Sequence, residues 1–263
     1  MSEAGRGLPP GYRLIRFETI DSTMSEAERQ AIAGAADGTL ILADEQTAGR
    51  GRRGRQWATP PGNLALSLLL RPQAPLQEVA LLSFVAGLAL HDSLSAEPGL
   101  AGRLTLKWPN DLLLDGAKLS GLLLESRSDP DGWPEWLIIG MGVNLAWAPQ
   151  DTPYPATALA DALSESPSTE QIVEAWAWAF DRRRRAFQAG GFAALRPDWK
   201  AAAQGLGGPL TARLSDGTVL EGRFEDLGED GNLLLALPGE TRPRAISAGD
   251  IYFPKGARHA SCH

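Results

Sequence analysis

TAGRGRRGRQW, residues 47–57, lies between two β-rich runs, at 39–43 and 63–70, and decides how the rest of the chain is interpreted. Glycine lets the backbone turn several N–H groups toward one point. Arginine adds a permanent charge and a planar fork of donors that suits phosphate or carboxylate. A glycine-rich loop between two strands is not a P-loop, and the pattern G-x-x-x-x-G-K-S/T is absent. Taken alone, the segment is typical of a solvated basic loop or of single-stranded nucleic-acid binding. Its context favours a loop that closes on an anion.

The composition indicates an acidic protein with a packed core. Its 263 residues allow one large domain with a small one, and the hydrophobic share of 43% is sufficient for a core. The net charge of −7 makes the basic loop a local exception, which favours a small anionic ligand over nucleic acid. The only cysteine, Cys262, excludes an internal disulfide, and His91, His259 and His263 are too scattered for zinc. There is no apolar leader, and the longest helix-like apolar run, 79–90, is too short to span a bilayer, so we expect a cytoplasmic protein.

Apolar periodicity and turn residues predict the elements. Asp115-Gly116 between two apolar runs is a strong signal for a two-residue hairpin. After a glycine-rich linker at 205–209, short strands between 210 and 253 predict a small open barrel. The predicted strands of the first part are 12–20, 39–43, 63–70, 103–107, 112–114, 118–125 and 135–141. The predicted helices are 23–34, 76–96 and 168–188.

Two local patterns admit a structural and a functional interpretation. Thr23 and Glu26 form a capping-box pattern, so helix capping is the simpler role for the DST at 21–23. The alternative is that its hydroxyls contact the polar end of a ligand. Lys118 lies just past the hairpin turn in an apolar strand. It is either an edge residue that extends its ammonium group to solvent, or a catalytic residue whose charge is held in place, here called a held charge. Gly121 in the same strand suits close approach of another group, which favours the held charge.

Two further segments have simpler assignments. GMGVNL at 140–145 lacks the third glycine and the helix of a dinucleotide fingerprint, but its glycines suit close approach of a flat ring. The amide of Asn144 could read an adenine edge or a metal-linked phosphate. Ser168 and Gln171 form a second capping-box pattern. The run Arg182–Arg185 is assigned to a solvated helix face.

Together these motifs resemble biotin protein ligases over residues 12–253. The resemblance implies an α+β fold with a mixed, mostly antiparallel sheet flanked by helices, and a small C-terminal β-barrel of the Src-homology-3-like type. It implies a catalytic domain at 1–205, a barrel at 209–255 and a tail at 256–263. The matching segments are DST at 21–23, QTAGRGRRGRQW at 46–57, KWPNDLLL at 107–114, KLSGLLLE at 118–125 and GMGVN at 140–144.

The resemblance also implies a two-step reaction. Biotin and ATP give biotinyl-5′-AMP, and a lysine of a biotin carboxyl carrier protein, of acetyl-CoA carboxylase or another biotin-dependent carboxylase, then receives biotin. An anion must attack an anion, so fixed cations are needed, usually with Mg²⁺ bound to ATP. No protein side chain is predicted as a metal ligand. The protein is expected to be a monomer or homodimer without a nucleic-acid partner.

By motif, the resemblance gives each residue a role. Lys118 would contact biotin's carboxylate and the α-phosphate, Arg50 and Arg52 would hold phosphate, and Asp111 would orient or deprotonate the incoming lysine. The implied biotin-binding residues are Ser22, Thr23, Met24, Gln46, Arg50, Gly51, Arg52, Lys118 and Gly121. The implied nucleotide-binding residues are Arg52, Arg53, Arg55, Trp57, Asn110, Lys118 and Asn144.

Two alternatives to biotin ligation remain open. A lipoate–protein ligase would share the fold and the adenylation chemistry, although GRGRRGR and KWPND favour biotin. A non-enzymatic nucleic-acid-binding module would use the Arg/Gly loop. Some bacterial relatives carry an N-terminal DNA-binding domain, and about 20 residues before the first motif cannot form one, so we expect no repressor role.

Overall fold

The computed structural model describes residues 7–152 and 154–254. The predicted tail at 256–263 lies outside this range, as do Cys262, His259 and His263.

A seven-stranded sheet in the order β1-β2-β3-β7-β6-β5-β4 forms the centre of the molecule. β1 and β2 are parallel, and every other neighbouring pair is antiparallel. The predicted mixed, mostly antiparallel sheet is therefore confirmed. The strands are β1 (Arg13–Ile20), β2 (Thr39–Gln46), β3 (Leu64–Leu70), β4 (Leu104–Lys107), β5 (Asp111–Leu114), β6 (Ala117–Ser128) and β7 (Pro134–Val143).

Helices cover both faces of this sheet. Side chains alternate between the faces along β2, so that Leu40 and Leu42 join the larger core with α3 and α4, whereas Ile41 joins a smaller core with α1. The helices are α1 (Thr23–Ile32), α2 (Leu76–Ala80), α3 (Leu82–Ser95), α4 (Thr169–Gly190) and α5 (Arg196–Ala202).

The helix predicted at 76–96 is interrupted at Leu81. The Leu81 N–H bonds to the Glu78 carbonyl three residues earlier, so the chain tightens for one turn between α2 and α3. Together Leu76–Ser95 is long and apolar enough to cross a bilayer, so the expectation that this run is too short was wrong. Of its most apolar window, 61% is buried inside the protein, as expected of a core helix.

The hairpin predicted at Asp115-Gly116 is confirmed. Asp115 has φ 51° and Gly116 has φ 82°, as a two-residue hairpin turn requires. β5 and β6 are paired across it, but the register shifts between Leu112 and Leu113, so β6 carries a bulge beside Lys118. The bulge frees the Lys118 N–H to bond to the Pro155 carbonyl at 2.7 Å.

Five antiparallel strands follow the linker, in the order β11-β10-β9-β8-β12, and confirm the predicted small barrel. Its buried side chains are continuous with the main core. The indole N–H of Trp108 donates to the Gly231 carbonyl at 2.9 Å, which ties the barrel to the KWPND segment. The strands are β8 (Pro209–Arg213), β9 (Val219–Leu227), β10 (Leu233–Ala236), β11 (Arg244–Ile246) and β12 (Asp250–Tyr252).

The two predictions for α4 have different outcomes. The capping box of Ser168 and Gln171 is confirmed, with both reciprocal bonds formed. The assignment of Arg182–Arg185 to a solvated face was wrong for Arg183 and Arg184. Their side chains are only 18% and 17% exposed, and Asp92 and Asp198 pair with the first and Asp37 with the second.

Candidate active site

A cavity of about 290 Å³ opens at the edge where the Arg/Gly loop, the hairpin and the barrel meet. Residues 249–251 of the barrel form one wall. Of the predicted site residues, Arg53 alone does not line this cavity. Those that do are Ser22, Thr23, Met24, Gln46, Arg50, Gly51, Arg52, Arg55, Trp57, Asn110, Asp111, Lys118, Gly121 and Asn144.

The Arg/Gly loop is a tight hairpin. The Gly51 N–H donates to the Arg55 carbonyl at 2.7 Å, and the Trp57 N–H donates to the Gly49 carbonyl at 2.9 Å. A Cβ at position 49 would lie 2.3 Å from the Trp57 carbonyl oxygen, so only glycine permits this approach. At the tip, Arg53 adopts φ 57°. The loop geometry therefore depends on its glycines and turns its arginines in different directions.

The four arginines have three different partners. Arg50 pairs with Glu125 at 2.8 Å, and Arg52 donates to the Asn110 side-chain oxygen at 2.9 Å. The other two, Arg53 and Arg55, both reach Asp250 of the barrel, at 3.0 and 2.6 Å. The loop is thus attached to the hairpin sheet on one side and to the barrel on the other.

These partners affect the pKa values of the charged groups. Burial lowers the pKa of Arg52, which nevertheless stays charged because the reference pKa of arginine is so high. Burial by itself would raise the pKa of Asp250, but the hydrogen bond and charge of Arg55, with the charge of Arg53, hold it below the usual value.

Lys118 and Asp111 form an ion pair inside the cavity, with Nζ 2.7 Å from Oδ1. Asp111 is paired with Gly121 in the register of β5 and β6, and the bulge in β6 brings Lys118 back beside that pair. A Cβ at position 121 would lie 3.2 Å from both Lys118 Nζ and Trp57 Cζ3. The lysine is therefore a held charge over a glycine.

Lys107 is a further cation of the cavity and is more deeply buried than Lys118, although no sequence motif gave it a role. It lies opposite Asp111 in β4, is 7% exposed, and has Nζ 3.5 Å from the centre of the Tyr154 ring. Burial lowers its pKa to about 8, with Lys118 and Arg55 adding to the effect and Asp111 and Asp250 opposing it. The available signal was its place as the first residue of KWPND.

The polar end of the cavity is built from the start of α1. The predicted capping box at Thr23 was wrong, because Ser22 is the N-cap residue and makes no side-chain cap bond. The Thr23 N–H and hydroxyl instead donate to the Gln46 side-chain oxygen, at 2.8 and 3.1 Å. Gln46 donates in turn to Thr59, and Ser67 donates to Thr23. This network holds the Gln46 amide in one orientation.

Ser22 has a buried hydroxyl that makes no hydrogen bond within the described residues. A buried polar group without a partner costs about 1–3 kcal/mol, unless a ligand supplies the bond. Because Ser22 lines the cavity, its hydroxyl is free to bind a ligand there.

Three glycines form the floor of the cavity. Gly142 of β7 is paired with Gly121 of β6, and Gly140 lies two residues back on the same face. The Trp57 indole lies across Gly142, because a Cβ there would be 2.2 Å from Nε1. Met24 lies across Gly140 in the same way. The glycine floor is therefore flat, and two side chains of the protein, Trp57 and Met24, lie on it.

Asn110 and Asn144 use their amides to hold the backbone. Asn110 donates to the Leu122 carbonyl and accepts from Arg52. Asn144 donates to the carbonyls of Lys118 and Thr157, at 3.4 and 3.2 Å. Contact of either amide with a nucleotide stays a prediction.

The cavity has two chemically different ends. One presents hydroxyls, an amide and the glycine floor, and the other presents an excess of positive charge. The positively charged end suits an anion. The two ends together suit a ligand with a neutral ring and an anionic tail that lies next to phosphates. No group of three or more His, Cys, Asp or Glu side chains that could hold a metal occurs among residues 7–152 and 154–254. The cations are Arg50, Arg52, Arg55, Lys107 and Lys118, and the carboxylates are Asp111 and Asp250.

Comparison with known proteins agrees with this geometry. A biotin–[acetyl-CoA-carboxylase] ligase from Paracoccus denitrificans is 40% identical over 238 residues, which are 89% of this chain and 97% of the relative. Residues 16–144 match the Biotin/lipoate A/B protein ligase family. The chain belongs to this family. Residues 205–253 match the Biotin protein ligase C terminal domain, so both parts of the resemblance are confirmed.

Solved structures of the family have the same overall fold. A biotin protein ligase from Aquifex aeolicus, in complex with biotin and ATP, aligns with TM-score 0.76 and 26% identity over 91% of this chain and 97% of that one. A biotin protein ligase from Leishmania major in complex with biotinyl-5-AMP aligns with TM-score 0.61 and 26% identity over 91% and 100%. These comparisons confirm the α+β fold class.

Proposed function

We propose that the protein is an ATP-dependent biotin–protein ligase that makes biotinyl-5′-AMP and transfers biotin to a lysine of a biotin carboxyl carrier protein. The observation that carries the proposal is the Lys118–Asp111 pair, which faces the loop arginines across one cavity. Relatives named biotin–[acetyl-CoA-carboxylase] ligase support the substrate and the carrier. We assign catalysis to a domain at 1–205 completed by the barrel at 209–255, in a cytoplasmic monomer or homodimer.

In the first step, biotin's carboxylate oxygen attacks the α-phosphorus of ATP, the bond to the β-phosphate oxygen breaks, and pyrophosphate leaves. Both reactants are anionic, so the protein contributes mainly position and positive charge. Lys118, Lys107 and Arg52 would stabilise this charge, and a preorganised donor of this kind is typically worth about 3 kcal/mol. Mg²⁺ would arrive on the triphosphate and partly neutralise its charge.

Biotin and the nucleotide would bind at different ends of the cavity. Ser22, Thr23 and Gln46 would bind the ureido ring of biotin over the glycine floor, with Gly51, Gly121 and Met24 around it. Arg50, Arg52 and Lys118 would hold the carboxylate where it meets the phosphate. Trp57, Asn110, Asn144, Arg53 and Arg55 would lie on the nucleotide side.

In the second step, the carrier lysine attacks the acyl carbon of biotinyl-5′-AMP, an amide forms, and AMP leaves. The attacking amine must lose a proton, and Asp111 is the carboxylate next to the reacting junction. Its pairing with Lys118 at 2.7 Å would be exchanged for the incoming ammonium. Asp111 would therefore orient that lysine or accept its proton.

The test combines pyrophosphate exchange with intact mass after incubation with biotin, ATP, Mg²⁺ and a carrier domain. We expect biotin-dependent exchange and one biotin added per carrier. Lys118→Ala should abolish both, because it removes the charge at the carboxyl–phosphate junction. Lys200→Ala is the matched control, since Lys200 is 31% exposed and 2.7 Å from Asp226, compared with 29% and 2.7 Å for Lys118 and Asp111.

Each of three results would contradict the proposal or one of its residue assignments. Exchange that responds to lipoate but not to biotin would make the protein a lipoate ligase. Full turnover by Lys118→Ala, with Lys200→Ala also active, would remove Lys118 from the reaction. Binding of single-stranded nucleic acid without exchange would instead support the non-enzymatic alternative, although the loop arginines are already engaged by Glu125, Asn110 and Asp250.

A further inference from the structure

Met24 differs from its neighbours at the polar end of the cavity because it is apolar. It lies in the first turn of α1, is 4% exposed, and lines the cavity beside Ser22 and Thr23. Its side chain lies against the bare backbone of Gly140, where a Cβ would be 2.6 Å from Sδ and 2.8 Å from Cγ. The thioether thus takes up the space that any other residue at position 140 would fill.

Met24 and Trp57 cover neighbouring parts of the same glycine floor but are held differently. Met24 is anchored in the smaller core by Ala27, Ile41 and Ile138. Trp57 is carried by the Arg/Gly loop, and its buried Nε1–H has no partner within the described residues. A ring on the floor would take the place of the less strongly held of the two, which is Trp57, and Met24 would remain as a wall.

The distance along β7 shows how much of the glycine floor Met24 leaves open. Gly140 and Gly142 are two residues apart in β7, which is about 7 Å at 3.3 Å per residue. That is close to the width of a small fused ring system, so little floor remains next to the thioether. An apolar wall also offers the ring no hydrogen bond, and it therefore discriminates by size.

We propose that Met24 is a specificity-determining residue that limits the size of the ring system the site accepts, given the biotin-ligase function proposed above. It sets the end of the floor, whereas Ser22, Thr23 and Gln46 recognise polar atoms. Truncation of Met24 should widen the ring site without changing the part of the cavity that holds the side chain of biotin. Adding a Cβ at Gly140 should narrow it.

The test uses three analogues of biotin in pyrophosphate exchange. Biotin sulfone adds two oxygen atoms to the ring sulfur and so makes the ring system bulkier, homobiotin lengthens the side chain by one methylene, and desthiobiotin lacks the sulfur atom that closes the second ring. In Met24→Ala we expect the sulfone-to-biotin ratio of kcat/KM to rise about tenfold, the lower end for a methylene-sized change in an apolar pocket, with the homobiotin-to-biotin ratio unchanged. Met24→Leu nearly conserves volume and should keep both ratios near those of the wild type.

Gly140→Ala provides the test of opposite sign, should Met24→Ala fail to fold. It should lower kcat/KM for biotin more than for the smaller desthiobiotin. If the wild type activates biotin and neither variant shifts its ring-size ratio, or if Met24→Ala shifts the homobiotin ratio as much as the sulfone ratio, Met24 does not set ring size. If the wild type activates no biotin, the proposed function itself fails.

Discussion

Lys107 carries a cost in stability that its removal should reveal. Its pKa falls from 10.5 to about 8 because the side chain is buried. At about 1.4 kcal/mol per pKa unit, keeping it charged at pH 7 destabilises the fold by about 3 kcal/mol. The contact with Tyr154 at 3.5 Å opposes this, and a desolvated cation–π contact is worth about 2 kcal/mol. Lys107→Met should therefore raise the free energy of unfolding at pH 7 by about 1 to 2 kcal/mol.

The pH dependence gives the sign of the effect. The folded pKa lies below the unfolded one, so between pH 8 and 10.5 the unfolded chain binds a proton that the folded chain does not. Wild-type stability, relative to Lys107→Met, should rise with pH across that window. Near pH 9.5 the destabilisation caused by the Lys107 charge has fallen by about 2 kcal/mol, so the wild type and Lys107→Met should melt at about the same temperature.

Thermal unfolding followed by circular dichroism at pH 7 and near pH 9.5 measures this difference. We expect Lys107→Met to melt about 4 °C higher at pH 7 and to lose adenylation by about 100-fold, as for removal of one preorganised donor. Lys200→Met is the control, because Lys200 is ion-paired at the surface of the protein. A lower melting temperature for Lys107→Met at pH 7, or a gain that is the same at both pH values, would refute the reasoning.

Two further predictions concern the arginine loop. Asp250→Asn removes the charge that holds Arg53 and Arg55. It should raise KM for ATP about fivefold, which corresponds to roughly 1 kcal/mol for partly exposed ion pairs, and leave KM for biotin unchanged. An equal rise in both KM values would contradict this prediction. In the wild type, the stabilisation from Asp250 should be lost as the pH falls through its lowered pKa. Arg52→Gly removes the hydrogen bond to Asn110 and should let the adenylate escape, so that added bystander proteins are biotinylated. If mass spectrometry finds biotin on the carrier alone, Arg52 does not retain the adenylate.

Local sequence signals predicted the fold well. Asp115-Gly116 specified its hairpin because both residues tolerate positive φ, and the strand lengths followed from apolar runs bounded by turn residues. The capping box at Thr23 failed because Ser22 is the N-cap residue, and because a long-range partner, Gln46, accepts from the Thr23 N–H that a capping box would use. A local sequence pattern contains no information about a partner that is distant in the chain.

The site was only partly predictable for the same reason. Motifs identified the loop and Lys118, but Asp250 is 195 residues from Arg55 in the chain, and only the folded barrel brings them together. Lys107 looks like the polar end of a short strand until β5 and Tyr154 bury it. Its lowered pKa is therefore a property of tertiary structure.

The indole bond from Trp108 to Gly231 limits how far this enzyme could be shortened. A version cut after the linker, as a compact tag for proximity labelling, would leave that N–H without an acceptor in apolar surroundings, at about 1–3 kcal/mol. It would also remove the wall at 249–251, opening the adenylate to water. Miniaturisation should therefore trim exposed turns, such as the one at Asp216-Gly217, and keep the strands of the barrel attached.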